Sequence, residues 1–390
     1  MLDSLFALSA KARRQPLGDA IAHAGRWATR QSPAILHRRL VRLWAQRAPE
    51  LLAAESPPGC LFCIETPGGG ECRAFGLADA AAGTPLKIDT PFRGASLAKP
   101  LVALTALTLV RDGLLSLDAP VPLEIDGRSI SRDGDFPDPT LRQLLSHTSG
   151  LNVHSLPQTP AGESAPDFAA LLEGRPDDGY RLSQVHAPGS EVLYSGAAFY
   201  LVGRLIERVA GDSVAEVVRA RVCGPLCMDA TTMNPPAQAG QGVCREHAPD
   251  RTPLPRQIAY AVASGSLVST GRDFLRFASA MLPRRGRPPF AELLGDQTAR
   301  ELLRPCGPAL ANPIYSVGFR IRLRSGGADL SHGGIREGLR AVVETIAGGS
   351  AAVFALANGE EGFRVVGPLI GEAKALTVRA GIHGPLRPVS

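Results

Sequence analysis

The sequence predicts an α+β fold. One antiparallel sheet is assembled from both ends of the chain and flanked by helices, and a mainly helical domain is inserted between those ends. Two observations carry this. Short apolar runs separated by turn residues, the mark of strands, occur near residues 60–79 and again from about 315 to 358. The stretch between them is rich in apolar residues at helical spacing, helix caps and Pro/Gly breaks. The size agrees: 390 residues, 44% hydrophobic and 20% charged, suit one large globular domain or two smaller ones. The boundaries expected are a basic helical N-terminal extension over 1–56, an α/β domain from 57–125 and 310–390, and the helical insertion over 126–309.

The extension comes first. "ILHRRLVRLWAQRAPELL" sets Ile35, Leu36, Leu40, Leu43 and Trp44 at helical spacing with arginines between them. Residues 1–50 carry nine Lys/Arg and three Asp/Glu, a balance of +6, so the other 340 residues balance at −1, from 33 basic and 34 acidic. This excess reads as the solvated face of helices packed on the body, with contact to an acidic partner as the alternative. No nucleic-acid partner is expected.

After "ESPPG" the pattern becomes a hairpin: "CLFCIET", the turn "PGGG", and "ECRAFGLAD". A helix from about Ser96 to Asp112 is apolar on nearly every side and should be buried. Pro100 falls in its first turn, where N–H groups lack partners anyway. "DPTLRQLLSHTSGL" reads as a capped helix running into a turn, and "AAFYLVGRLIERVAGD" as an amphipathic helix with a glycine stop. "STGRDFLRFASAML" opens with Thr270 and Asp273 at capping-box spacing. Strands return at "YSVGFRIRL", "LSHGGI", "LRAVVETIA" and "SAAVFALAN", and the helix "VVGPLIGEAKALTVRAG" follows.

Seven cysteines are scattered along the chain. The odd count, with no recognisable export signal, predicts free thiols. Cys60 and Cys63 form a lone CxxC, and Cys244 with His247 is a weak second cluster, so no structural zinc is expected. No apolar run approaches a membrane span, and a cytoplasmic protein is expected.

The chemistry centres on "FRGASLAKPLVALTAL", residues 92–107. Residues three apart on a helix share a face, so Lys99 can reach the hydroxyl of Ser96. A lysine buried among apolar groups loses affinity for its proton and becomes a base. A serine at a helix N-terminus also faces free N–H groups that favour developing negative charge.

Several other segments, in order along the chain, resemble the serine β-lactamase-like superfamily, in the branch of class C β-lactamases, serine carboxypeptidases and related esterases and acyltransferases. They are "GLADAAAGTPLKIDTPFRGASLAK", "LVRDGLLSLDAPV", "LRQLLSHTSGL", "APGSEVLYSGAAFYLVGRLIERVAG", "SGSLVSTGRDFLRFASAML" and "LSHGGIREGL". The resemblance implies a β-lactamase/transpeptidase-like fold with Ser96 as the acylated nucleophile. Lys99 would lie between Ser96 and Tyr194, and Tyr194 would be a second base with a lowered pKa. His332 and Gly334 would form the HxG wall. The N–H groups of Ser96 and Ile335 would make the oxyanion hole. His147, in "SHTSG", would be structural rather than part of a triad. No cofactor and no metal are implied.

One departure matters. The family's YxN motif here reads Tyr194-Ser195-Gly196, so the asparagine that bonds a substrate amide and helps hold the lysine is missing. A site built around such a bond loses strongly without it. The expected substrates are therefore esters or activated acyl groups, passed to water or to an amine or alcohol acceptor. A β-lactamase or D-amino-acid peptidase or amidase is the alternative, and a catalytically silent acyl-binding protein the third reading. Arg336 and Arg340 lie near the proposed pocket wall, where one could bind a carboxylate or phosphate. Ser264 and Ser266 are expected to narrow the pocket.

Overall fold

The computed structural model describes residues 33–165, 181–324 and 327–379. Helix α1 (Pro33–Ala54) leads into strands β1 (Gly59–Thr66) and β2 (Gly69–Asp79). A two-residue strand β3 (Thr84–Pro85) and a 3-10 turn at Ala95–Leu97 precede helix α2 (Ala98–Arg111). Helices α3 (Leu141–Leu145), α4 (Gly196–Ala210) and α5 (Gly271–Ala280) follow, separated by loops and short ladders. Strands β4 (Tyr315–Ser316), β5 (Phe319–Arg324), β6 (Gly327–Arg336), β7 (Leu339–Ile346) and β8 (Ala351–Ala357) then lead to helix α6 (Phe363–Arg379).

The main sheet has eight strands in the order β4-β5-β6-β7-β8-β1-β2-β3, all antiparallel. The two chain ends meet where β1 pairs with β8, Cys60 opposite Ala357 through Glu65 opposite Ala352. Nearly every residue of β1 and all of β8 are buried, because both faces of the sheet centre are covered. Alternation sorts the side chains. Cys60, Phe62 and Ile64 face α1 and α6, with Leu36, Leu40, Trp44, Val366 and Leu369 packed on them. Leu61 and Cys63 face the other way, into the larger core with Phe92, Phe274 and Phe277. Each large side chain buried in these layers contributes about 1.5–3 kcal/mol.

Helix α1 has the expected two faces. Leu36, Leu40, Trp44, Ala48 and Leu52 point inward, and the Trp44 indole N–H donates to the Leu369 carbonyl at 3.3 Å. Arg38, Arg39 and Arg42 are exposed. Ile35 departs from the expected stripe and is half exposed. Trp27 and the basic residues before Pro33 lie outside the described residues.

The predicted caps are present in two forms. Thr140 and Gln143 form a reciprocal capping box on α3. At α5 the Thr270 hydroxyl accepts from the Asp273 N–H, while the Asp273 carboxylate accepts from Ala230 N and the Thr231 hydroxyl. That carboxylate ties two segments together. Gly211 ends α4 with φ +72°.

The expectation of free thiols is wrong at one pair: Cys63 and Cys72 form a disulfide. The hairpin register sets them directly opposite each other, with Cα atoms 4.0 Å apart. The CxxC itself is unpaired, because residues three apart on a strand face opposite ways. Cys244 and His247 hold loops: the Cys244 thiol donates to Ala78 O, and His247 accepts from Ala80 N and donates to Asn358 O.

Among the described residues, no helix is long and apolar enough to cross a membrane.

Candidate active site

Ser96 sits in the 3-10 turn just before α2, where the Phe92–Arg93 ladder ends. The turn is fixed from several sides. Gly94 N–H donates to Leu267 O, and Leu97 N–H donates to Gly94 O. Ala95 holds φ +48°, a left-handed conformation uncommon for alanine. Such strain persists where the surroundings over-determine it.

Lys99, one turn along α2, is 1% exposed. Its Nζ donates to Ser96 Oγ at 3.2 Å and to the Ser264 carbonyl at 2.7 Å, with Ser264 Oγ at 3.4 Å. No carboxylate among the described residues pairs with it. Burial pushes its pKa down from the ordinary lysine range to about 7. The Tyr194 ring lies under the amine, with Nζ 5.1 Å from the ring centroid, and the Ser96 hydroxyl acts to lower the phenol pKa. Burial raises the phenol pKa and Ser96 only partly offsets this. The sequence expectation of a lowered tyrosine pKa is therefore corrected. The low-dielectric surroundings disfavour a phenolate, and the same burial lowers the pKa of the lysine.

His147 stacks on Tyr194 at 4.1 Å between ring centroids. Its Nδ1 accepts from Ser195 N–H at 3.1 Å. Burial holds this histidine well below its ordinary pKa, so the neutral ring is fixed with Nε2 protonated. His332 is 6% exposed, and burial lowers its pKa to about 3. Its Nδ1–H donates to Gly333 O at 2.9 Å, which leaves Nε2 as an acceptor. The His332 and Tyr194 ring centroids are 6.4 Å apart.

Strand β6 brings the wall to the nucleophile. It pairs with β5 only from Gly327 to Ser331, and with β7 from Ser331 to Arg336. Residues 332–336 thus leave one edge without a strand partner, and the Ser96 turn lies against it. Gly334 permits the approach: a Cβ there would lie 2.3 Å from Gly94 O.

The groove over Ser96 is lined by Ala95, Lys99, His154–Gln158, Ala259, Ala261, Ser264, Gly265, Ile335 and Arg336. Ser96, Lys99, Tyr194 and His332 come together as the sequence implied. Gly196 gains a physical account. A Cβ there would meet His154 O and Ser264 Oγ, each at 2.8 Å. The space of a longer side chain is taken by the 153–155 loop, whose carbonyls at Val153 and His154 accept from Gly196 N–H, and by Ser264, which holds the lysine. Arg340 turns away to Glu360. His154, with its ring 4.8 Å from that of Tyr194, is a groove residue that sequence reasoning missed. Nothing in its local sequence signals this.

The chain belongs to the Beta-lactamase family, whose sequence pattern matches residues 50–373. Over 167 residues it is 39% identical to the esterase EstB of Burkholderia gladioli, covering 40% of this chain and 42% of that protein. It is 32% identical to the ML-236A carboxylate methylbutanoyltransferase mlcH of Penicillium citrinum, over 36% of this chain and 37% of the other. The matches span 37% to 62% of these and the other curated relatives' lengths. Two solved structures show the same β-lactamase-like fold. SurE aligns with a TM-score of 0.70 at 23% identity, over 91% of this chain and 79% of that one. The D-amino acid amidase of Ochrobactrum anthropi SV3 aligns with a TM-score of 0.68 at 19% identity, over 88% and 99%.

Proposed function

We propose that the protein is a serine acyl-enzyme catalyst of ester or activated-acyl substrates. It would work in a cleft between a sheet domain, 57–125 with 310–390, and a helical insertion over 126–309. The single observation that carries this is the Lys99 amine, buried with no carboxylate partner among the described residues and 3.2 Å from Ser96 Oγ. A neutral amine so placed accepts the serine proton as Oγ attacks the substrate carbonyl. The N–H groups of Ser96 and Ile335 receive the oxyanion. Tyr194, still protonated, gives its proton to the leaving oxygen as the ester C–O bond breaks, and Lys99 returns a proton to Tyr194. Water then attacks the acyl-Ser96 ester by the reverse relay, releasing the acid and restoring the hydroxyl. His332 and Gly334 form the wall beside the leaving group.

Hydrolysis is the first reading, supported by the esterase likeness. Transfer to an amine or alcohol is the second, supported by the methylbutanoyltransferase likeness. Amide-directed β-lactam or D-peptide chemistry is disfavoured by the loop and serine that fill the space beside Gly196.

The test is intact-protein mass after brief exposure to a p-nitrophenyl acyl ester, wild type beside Ser96→Ala, with and without amine acceptors. An acyl adduct confined to wild type supports the reading, and faster decay with amines assigns transfer. Ester turnover unchanged in Ser96→Ala would sink it, and no adduct together with no p-nitrophenol release from any ester would favour the silent-binding reading.

A further inference from the structure

At the end of the groove away from Tyr194 lies a second group of buried charges. Arg93 and Glu246 are each 1% exposed. Two nitrogens of Arg93 bond the Glu246 carboxylate, and its third donates to Gln257 O at 2.7 Å. Arg336, its side chain 6% exposed, shares the same carboxylate through Nε at 3.3 Å. Its Nη2 donates to Gln158 Oε1 at 2.9 Å and to Gln257 O at 3.2 Å. Its Nη1 takes no hydrogen bond among the described residues. That nitrogen belongs to a side chain lining both the groove over Ser96 and an adjoining cavity. The cavity measures about 160 Å³, several times the ~30 Å³ share of one water.

The charges do not balance. Burial, and after it the charge of Arg336 with smaller contributions from Arg256 and Arg245, depresses the pKa of Arg93 to about 8. The one buried carboxylate of the cluster, Glu246, is thus shared by two buried guanidinium groups. Glu337 at the cavity rim and Asp79 near Arg256 add negative charge but form no ion pair with these arginines among the described residues. Buried like charges are costly unless a counter-charge satisfies them. Arginine is the side chain best suited to hold such a counter-charge, because it stays protonated and offers a planar fork.

Strand β6 gives the direction. His332 and Arg336 are four residues apart, roughly 13 Å along a strand, with the Ile335 N–H close to the Arg336 end. The leaving group faces the Tyr194 and His332 end, so whatever reaches Arg336 belongs to the acyl part. We infer that the acyl group carries a terminal carboxylate a few methylenes from its reacting carbonyl, and that Arg336 binds it. This rests on the acyl-enzyme reading above for the orientation, but the binding site itself does not.

The experiment has two arms. In the first, glutarate, its uncharged isostere glutaramide and inorganic phosphate are titrated by calorimetry into the Ser96→Ala protein. Glutarate is expected to bind at least tenfold more tightly than either. Gln158→Glu places a rival carboxylate at the exposed mouth without disturbing the buried cluster, and should weaken glutarate binding at least tenfold. Arg336→Gln should abolish it. In the second arm, wild type is given the mono-p-nitrophenyl ester of adipic acid and p-nitrophenyl hexanoate. The anionic ester is expected to have at least tenfold the kcat/KM, and Gln158→Glu should remove that preference. Absence of glutarate binding, or equal binding of glutaramide, overturns the inference, and tighter phosphate binding overturns the carboxylate assignment. Turnover of neutral esters with no glutarate binding defeats this inference and leaves the acyl-enzyme reading standing. Glutarate binding with no turnover of either ester does the opposite.

Discussion

Lys99, in the groove over Ser96, and the Arg93–Glu246–Arg336 cluster, where that groove meets the adjoining cavity, are two buried cationic sites built in opposite ways. Lys99 has a carbonyl, two hydroxyls and an aromatic face around it, and no acid among the described residues. The arginines close on a buried carboxylate. Desolvation acts on both, with different outcomes. The amine falls to about 7 and becomes a base. Arg336 falls only to about 10 and keeps its charge. A lone buried amine is thus suited to moving protons, and a guanidinium beside an acid to holding an anion.

The contrast breaks most sharply at Lys99. Lys99→Met should lower kcat/KM for a p-nitrophenyl ester by about 10⁴-fold or more, as for the loss of a base that acts as a unit with its nucleophile. The same change should raise stability. The folded-state pKa of Lys99 lies below its unfolded value. Between about pH 7 and the ordinary lysine range the unfolded chain therefore binds more protons, and stability from this group rises with pH. At neutral pH the folded lysine is a net cost. Lys99→Met should then raise Tm by the equivalent of about 1–3 kcal/mol and flatten its pH dependence. A lower Tm would mean that the Ser264 and Ser96 bonds outweigh desolvation.

Glu246→Ala strikes the other site. It leaves Arg93 and Arg336 buried beside each other without their acid, and should destabilise the fold by about 3–5 kcal/mol, read from denaturant midpoints. A loss under 1 kcal/mol would show that the arginines find water instead. Tyr194→Phe should slow turnover by about 10²–10³-fold yet preserve the acid limb of the pH profile, because that limb belongs to Lys99. The smallest effect is expected at Gly196→Asn. The new side chain must displace the His154 carbonyl, which costs about 1–3 kcal/mol, and should lower ester turnover without creating β-lactam hydrolysis. Pairing it with Ser264→Gly should recover little stability, since the backbone clash remains.

Much of this arrangement is legible in the sequence, and the reason is local periodicity. The strands at both chain ends, the buried α2, the caps at Thr140 and Thr270, and the Ser96–Lys99 pair all follow from spacing within a few residues. The family resemblance set Tyr194 and His332 beside Ser96, but other contacts between distant segments were not legible. Ser264 reaches Lys99 across 165 positions, and His154 reaches the groove through a loop bonded to Gly196. The Cys63–Cys72 bridge depends on hairpin register, which an odd cysteine count does not reveal. Arg336 was visible as a residue near the wall, but Glu246, which pairs with it, carries no motif.

The most direct test of the central claim is the pH dependence of the acylation step, followed as the p-nitrophenol burst in wild type and Lys99→Met. The wild-type burst rate is expected to rise with pH through a single transition near pH 7, and the Lys99→Met rate, far lower, is expected to show no such transition. A wild-type rate that stays flat through neutrality and climbs only in the tyrosine range would contradict that claim and make Tyr194 the base.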